Sequence, residues 1–313
     1  SLTPGHPEYG HVAGVEATTG PLGAGVANAV GFAMAARRER ALLDPKTPLH
    51  EPSVFDRHVY VIAGDGCMQE GVSGEASSLA GAQKLGNLVL IYDDNRISIE
   101  GETQIAFTED VAARYAAYGW HVQHVDWTNG GTGYTENLEA LYEAIESAKA
   151  VTDRPSFIKL TTVIGWPLPT KAGHHSVHGS KLGAEEVAAL KRELGFDPEA
   201  SFAVDAAILN HTRSQAAAKA AEAKQTWQPA FEAWRVGNPD QAGLFDRLAA
   251  GELPQELEAA LPTFAAGKKS TRAASGEVLT ALAGVVPELW GGSADLAGSN
   301  NTTMKGERSF LPP

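Results

Sequence analysis

Two stretches decide the fold: His58-Val-Tyr-Val-Ile-Ala-Gly-Asp-Gly-Cys-Met-Gln-Glu70 and Asn87-Leu-Val-Leu-Ile-Tyr-Asp-Asp-Asn95. Each opens as a short apolar run rich in β-branched residues and ends in small or acidic turn residues, the pattern of a buried parallel strand emptying into a loop. Between them, Gln69 to Leu85 carries small residues (Gly71, Gly74, Ala76, Ser77, Ala80, Gly81) at helical spacing and stops at Gly86, a natural C-cap. Strand, helix and strand together have the size of a βαβ unit.

Neighbouring parallel strands lie about 4.8 Å apart, so Asp65 and Asn95 are expected side by side at the carboxyl edge of the sheet, where open α/β folds bind ligands. A carboxylate beside an amide oxygen suits a hard cation such as Mg2+, which takes about six oxygens and borrows some from substrate phosphates. Gly64 and Gly66 let the backbone turn sharply and come close to a diphosphate. Each triplet alone, Gly-Asp-Gly or Asp-Asp-Asn, is equally a plain turn after a strand; their joint spacing favours the site.

Composition narrows the function. With 313 residues and 43% hydrophobic content the chain buries a substantial core. No apolar run reaches the roughly 18 residues of a membrane span. The opening Ser1-Leu-Thr-Pro-Gly-His-Pro lacks the basic region and apolar core of a signal peptide, and the single Cys67 fits a reducing cytoplasm. A formal net charge of −13 argues against nucleic acid as a partner and requires any anionic substrate to be captured by local cations.

Further along, Gly20-Pro-Leu-Gly-Ala-Gly25 opens a helix to about Leu43, and Arg96–Glu100 alternates as a short strand or extended loop. Helical spacing over Val111–Tyr118 and Leu138–Ala150, and strand patterns at His121–Val125 and Pro155–Val163, extend a doubly wound parallel α/β sheet. In Lys171–Gly179, His174 and His178 tempt with zinc, but the bracketing glycines and the lack of a carboxylate argue against it. Helices follow over Ala184–Leu194, Val204–Arg235, Leu244–Ala250 and Gln255–Leu261. From Lys268 a second α/β unit begins: a helix capped by Ser270 or Thr271 runs to about Val286, and Leu289–Leu296 returns as strand and loop. Arg272 and Ser299 could jointly hold a phosphate beside free helix N–H groups, with Asp295 pointing across the cleft.

Gly64-Asp65-Gly66 followed by Asp94-Asn95 resembles the metal and diphosphate motif of thiamine diphosphate enzymes, and the surroundings are similar to the transketolase family. The matching segments are Thr3-Pro-Gly-His-Pro-Glu8, Thr18-Thr-Gly-Pro-Leu-Gly23, Gly64-Asp-Gly-Cys-Met-Gln-Glu-Gly71, Lys171-Ala-Gly-His-His-Ser-Val-His-Gly179 and Gly291-Gly-Ser-Ala-Asp-Leu296. The resemblance implies thiamine diphosphate with Mg2+ (or Ca2+, Mn2+) held by Asp65, Asn95 and the Ile97 carbonyl. It implies His6 facing the thiazolium ring and sugar hydroxyls, Gly20, Pro21 and Leu22 against the aminopyrimidine, and His178 on the diphosphate and a substrate oxygen. Glu70 resembles a glutamate linking two sites across a homodimer, and Arg272, Ser299 and Asp295 fall to the sugar phosphate.

The implied activity is transfer of a two-carbon ketol unit from a ketose phosphate to an aldose phosphate, of pentose phosphate pathway type. The rivals are a dihydroxyacetone synthase, a deoxyxylulose phosphate synthase and a non-catalytic binding protein. The implied organisation is a diphosphate-binding domain over 1–236, N-terminally incomplete, a helical linker over 237–267, and the truncated start of a pyrimidine-binding domain over 268–313. A chain so bounded lacks the activating glutamate and is expected to be inactive by itself.

Overall fold

The computed structural model describes residues 5–313; Thr3 and Pro4 of the first family-like segment lie outside the described residues. The chain forms two compact units, one holding residues up to Ala35 with Arg57–Arg213 and Pro312–Pro313, the other Ala36–Asp56 with Ser214–Leu311.

The first unit is built on four parallel strands, β1 (Val59–Gly64), β2 (Leu88–Asp94), β3 (His121–Asp126) and β4 (Ser156–Thr161), in the order β1-β2-β4-β3. Its helices are the first part of α1 (Ala24–Leu43), then α2 (Asp65–Gln69), α3 (Gly71–Ala82), α4 (Val111–Ala117), α5 (Leu138–Ala150) and α6 (Ala184–Glu193). Strand β2 reads as continuous apolar sequence because both its faces are covered. Leu88, Leu90 and Tyr92 pack with Val26, Met68 and Tyr115, while Val89 on the other face joins Ile158, Leu160 and Ala148.

The second unit is helical among the described residues: most of α7 (Ala206–Gly237), then α8 (Pro239–Ala250), α9 (Leu257–Ala260), α10 (Thr271–Ala283) and α11 (Ala297–Asn300). Its core is aromatic. Phe55 meets Trp234 edge-on at 4.7 Å, and the Trp234 indole donates to the Leu43 carbonyl at 3.1 Å, so the one polar atom of that buried ring is satisfied.

Several local expectations are corrected. The helix expected from Gln69 starts at Asp65 and breaks at Glu70, whose extended backbone (φ −78°, ψ 135°) separates α2 from α3. The break is supported by the Ser73 hydroxyl, which donates to the Cys67 carbonyl at 2.6 Å and satisfies an end of the short helix. The helix expected from Leu244 begins at Pro239, whose missing N–H is harmless in a first turn. Leu289–Leu296 forms no strand: no other strand is described in that unit, so its backbone has no ladder to join, and Asp295 turns at φ 56°. Arg96–Glu100 is a turn, closed by Ser98 N–H to Gly101 O at 2.8 Å and an isolated bridge between Ile97 and Glu102. Among the described residues no helix is long and apolar enough to cross a membrane.

Gly86 ends the connection from α3 to β2 where a Cβ would fall 2.0 Å from the Thr152 carbonyl oxygen. Gly86→Ala should therefore destabilise by at least the ~1–3 kcal/mol typical of overpacking, measured by urea unfolding. Gly243→Ala on α8, where a Cβ meets nothing within 4 Å, should instead stabilise by roughly 0.5–1 kcal/mol.

Candidate cofactor and metal site

Strand register sets the site. Gly64 at the end of β1 lies opposite Asp93 of β2, so the residues leaving both strands meet. The Asp65 carboxylate, 4% exposed, accepts the main-chain N–H groups of Asn95 at 3.2 Å and Arg96 at 3.0 Å through Oδ2, and the Tyr92 hydroxyl at 2.8 Å through Oδ1. Burial, reinforced by the nearby Asp94 carboxylate, raises the Asp65 pKa against the lowering effect of the Tyr92 and main-chain hydrogen bonds. Burial and the same two carboxylates hold the Tyr92 phenol far above its ordinary range, so it stays a neutral donor.

Asn95 is oriented at both ends of its amide: Nδ2 donates to Asp93 at 3.2 Å and Oδ1 accepts the Ile97 N–H at 3.0 Å. An amide oxygen, a carboxylate and the carbonyl of the buried Ile97 form a hard-oxygen set suited to Mg2+ or Ca2+. The charge balance also fits a cation. Asp94, 4% exposed, is paired with Lys159 at 3.0 Å, whereas Asp65 has only neutral donors among the described residues. These residues line a 550 Å³ cavity that also reaches Gly173.

A second cluster in this unit gathers the turn before α1. Gly20 lies against His6, where a Cβ would be 3.4 Å from Nε2, and a Cβ on Gly66 would lie 3.0 Å from Leu22 Cδ1. Gly23, at φ +80°, presses on α3: a Cβ there would come within 2.8 Å of Ser73 Oγ and 2.9 Å of Glu70 Cβ. His6, Gly20, Pro21 and Leu22 share the lining of a 470 Å³ cavity with Cys67. The His6 ring is exposed and 3.4 Å from the Glu8 carboxylate.

His178 closes a 3-10 turn, His175–Val177, with its N–H on the His175 carbonyl at 2.9 Å; it is exposed and lies outside the lining of both cavities. In the same loop the His174 ring is occupied by Ser176 and lies tilted against the His175 ring at a centroid distance of 4.3 Å. No group of three His, Cys, Asp or Glu side chains that could hold a metal occurs among the described residues. In the second unit, Ser270 caps α10 through the Ala273 N–H, and Arg272 Nη1 donates to the Ser299 carbonyl at 3.3 Å, bringing together two residues 27 apart in sequence. Asp295 is exposed at its left-handed turn.

Sequence reasoning passed over Tyr92 and Lys159, and named Asp94 only as part of the Asp94-Asn95 motif. The available signal was a lysine inside the strand Ser-Phe-Ile-Lys-Leu-Thr and a phenol inside an apolar run, since a half-buried cation or a buried hydroxyl needs a partner.

Residues 1–254 match the family described as transketolase, thiamine diphosphate binding domain. The chain belongs to the transketolase family. It is 56% identical to the transketolase of Mycobacterium leprae over 100% of this chain and 44% of that protein, and 45% identical to transketolase 1 of Saccharomyces cerevisiae over 100% and 45%. It superposes with a TM-score of 0.90 on the crystal structure of Pichia stipitis transketolase in complex with sedoheptulose-7-phosphate, at 43% identity, over 100% of this chain and 45% of that one. The chain thus spans less than half the length of these relatives, and its residues 1–254 match the family's thiamine diphosphate-binding domain.

Because burial raises the Asp65 pKa in the folded chain, the ligand-free protein should lose stability as pH rises from the ordinary carboxylate range through the raised value. Asp65→Asn should remove that dependence and leave the ligand-free protein as stable or more so at neutral pH. The same change should abolish the magnesium-dependent rise in Tm on adding thiamine diphosphate. A retained rise would contradict the assignment.

Proposed function

We propose that this chain forms the cofactor-binding part of a transketolase that moves a two-carbon ketol unit from a ketose phosphate to an aldose phosphate, as in the pentose phosphate pathway. The observation that carries the reading is the convergence of Asp65, Asn95 and Ile97 at the ends of β1 and β2 within a chain of this family. A sugar phosphate in the solved Pichia stipitis relative supports the substrate class. We further propose that the enzyme is a cytoplasmic homodimer, divided here into a diphosphate-binding domain over 1–236, a linker over 237–267 and the start of a pyrimidine-binding domain over 268–313.

In this reading Asp65, Asn95 and the Ile97 carbonyl hold a divalent cation, Mg2+ or in its place Ca2+ or Mn2+, that neutralises the diphosphate. Gly66 permits close approach of that group, and Gly20, Pro21 and Leu22 support the aminopyrimidine. When bound, thiamine diphosphate supplies the electron sink for breaking and forming the carbon–carbon bond. His6 orients the sugar hydroxyls. His178 donates a hydrogen bond to the diphosphate or holds a proton at a substrate oxygen, a role compatible with its exposure on a loop. Glu70, exposed at the break between α2 and α3, contacts the partner subunit. Arg272, Ser299 and Asp295 bind the sugar phosphate, and this local arginine offsets the repulsion expected from a net charge of −13.

The direct check is ketol transfer between a ketose phosphate and an aldose phosphate by the enzyme carrying this chain. Arg272→Ala should raise KM for phosphorylated sugars about 10–150-fold, corresponding to loss of a charge-assisted bond of about 1.5–3 kcal/mol, with little effect on unphosphorylated analogues. Equal losses on both would indicate a structural role through Ser299.

A further inference from the structure

The site contains two buried carboxylates and one phenol between them, and their hydrogen bonds are unequal. Tyr92 Oη lies 2.8 Å from Asp65 Oδ1 and 3.3 Å from Asp94 Oδ1, but a hydroxyl has a single proton to give. Asp94 has other donors: Lys159 Nζ at 3.0 Å and the Thr161 hydroxyl at 3.1 Å, both on Oδ2, with the Arg96 guanidinium 3.9 Å from Oδ1. Asp65 depends on Tyr92 for its third hydrogen bond.

Lone pairs complete the count. Each carboxylate oxygen accepts about two hydrogen bonds. Both acceptor positions of Asp65 Oδ2 are taken by the Asn95 and Arg96 N–H groups, and one on Oδ1 is taken by Tyr92. One position on Oδ1 remains. We infer that Tyr92 is a positioning residue, which fixes the Asp65 carboxylate so that a single Oδ1 lone pair is presented to the cation, while Lys159 holds Asp94 and leaves the Tyr92 proton to Asp65. This rests on the proposed metal role of Asp65. The phenol ring is itself held in place, being 3% exposed and packed against Phe157 at a centroid distance of 5.9 Å.

Tyr92→Phe deletes the hydroxyl and keeps the ring. With thiamine diphosphate held constant, calorimetric titration of Mg2+ into the enzyme carrying this variant should give an apparent Kd for the metal raised about 10–100-fold, the usual cost of losing an outer partner of a metal ligand. Lys159→Gln, which leaves Tyr92 in place, should weaken Mg2+ in the same direction, and Lys159→Arg should restore it. A merely structural hydroxyl would lower the Tm of the ligand-free variant without altering its Mg2+ affinity, and that result overturns the inference, as does undiminished affinity in Lys159→Gln. If the unsubstituted enzyme binds thiamine diphosphate without any need for a divalent cation, the metal role itself falls and this inference with it; magnesium dependence in the parent with unchanged affinity in both variants rejects the positioning role alone.

Discussion

The bond on which the site depends runs from the end of β2 back to the end of β1: the Asn95 and Arg96 main-chain N–H groups on the Asp65 carboxylate. It ties the first residue of α2 to the turn after β2, and it is possible only because those strands are parallel neighbours in a register that sets Gly64 against Asp93. A carboxylate buried in this way is costly with neutral donors alone. The cost is localised where a cation would recover it, whereas the neighbouring Asp94 is already compensated by Lys159.

Around that bond the chain uses close packing to bring distant segments together. Gly23 leaves no room for a side chain against the start of α3, Gly66 lies tight against the tip of Leu22, and Gly20 is in contact with the His6 ring. The break at Glu70 has the same logic. It ends α2, whose first turn holds Asp65, after five residues, and α3 begins where Gly23 packs against Glu70, Val72 and Ser73.

Much of this was legible in the sequence because the signals were local. A β-branched run ending in Gly-Asp-Gly, a helix of small residues and a second run ending in Asp-Asp-Asn suffice for two parallel strands and a shared edge. What stayed hidden depended on partners remote in sequence. Tyr92 reads as one more residue of a buried strand until β4 brings Lys159 beside Asp94 and frees its hydroxyl for Asp65. The Leu289–Leu296 segment has strand-like residues at its start, but strand formation requires a neighbour, which residue preference alone does not supply. The start of α2 was missed for a simpler reason: glycine beside aspartate signals a turn and a helix N-terminus equally well.

The central claim is that Asp65, Asn95 and Ile97 hold the cation that carries the cofactor's diphosphate. Crystals of the protein grown with thiamine diphosphate and Ca2+, measured for anomalous scattering, test it most directly. A single strong peak within about 2.3–2.6 Å of Asp65 Oδ1, Asn95 Oδ1 and the Ile97 carbonyl oxygen, shared with diphosphate oxygens, is the predicted result. A cofactor bound with no peak at Asp65, or with the metal on the histidines of the 171–179 loop, would contradict it.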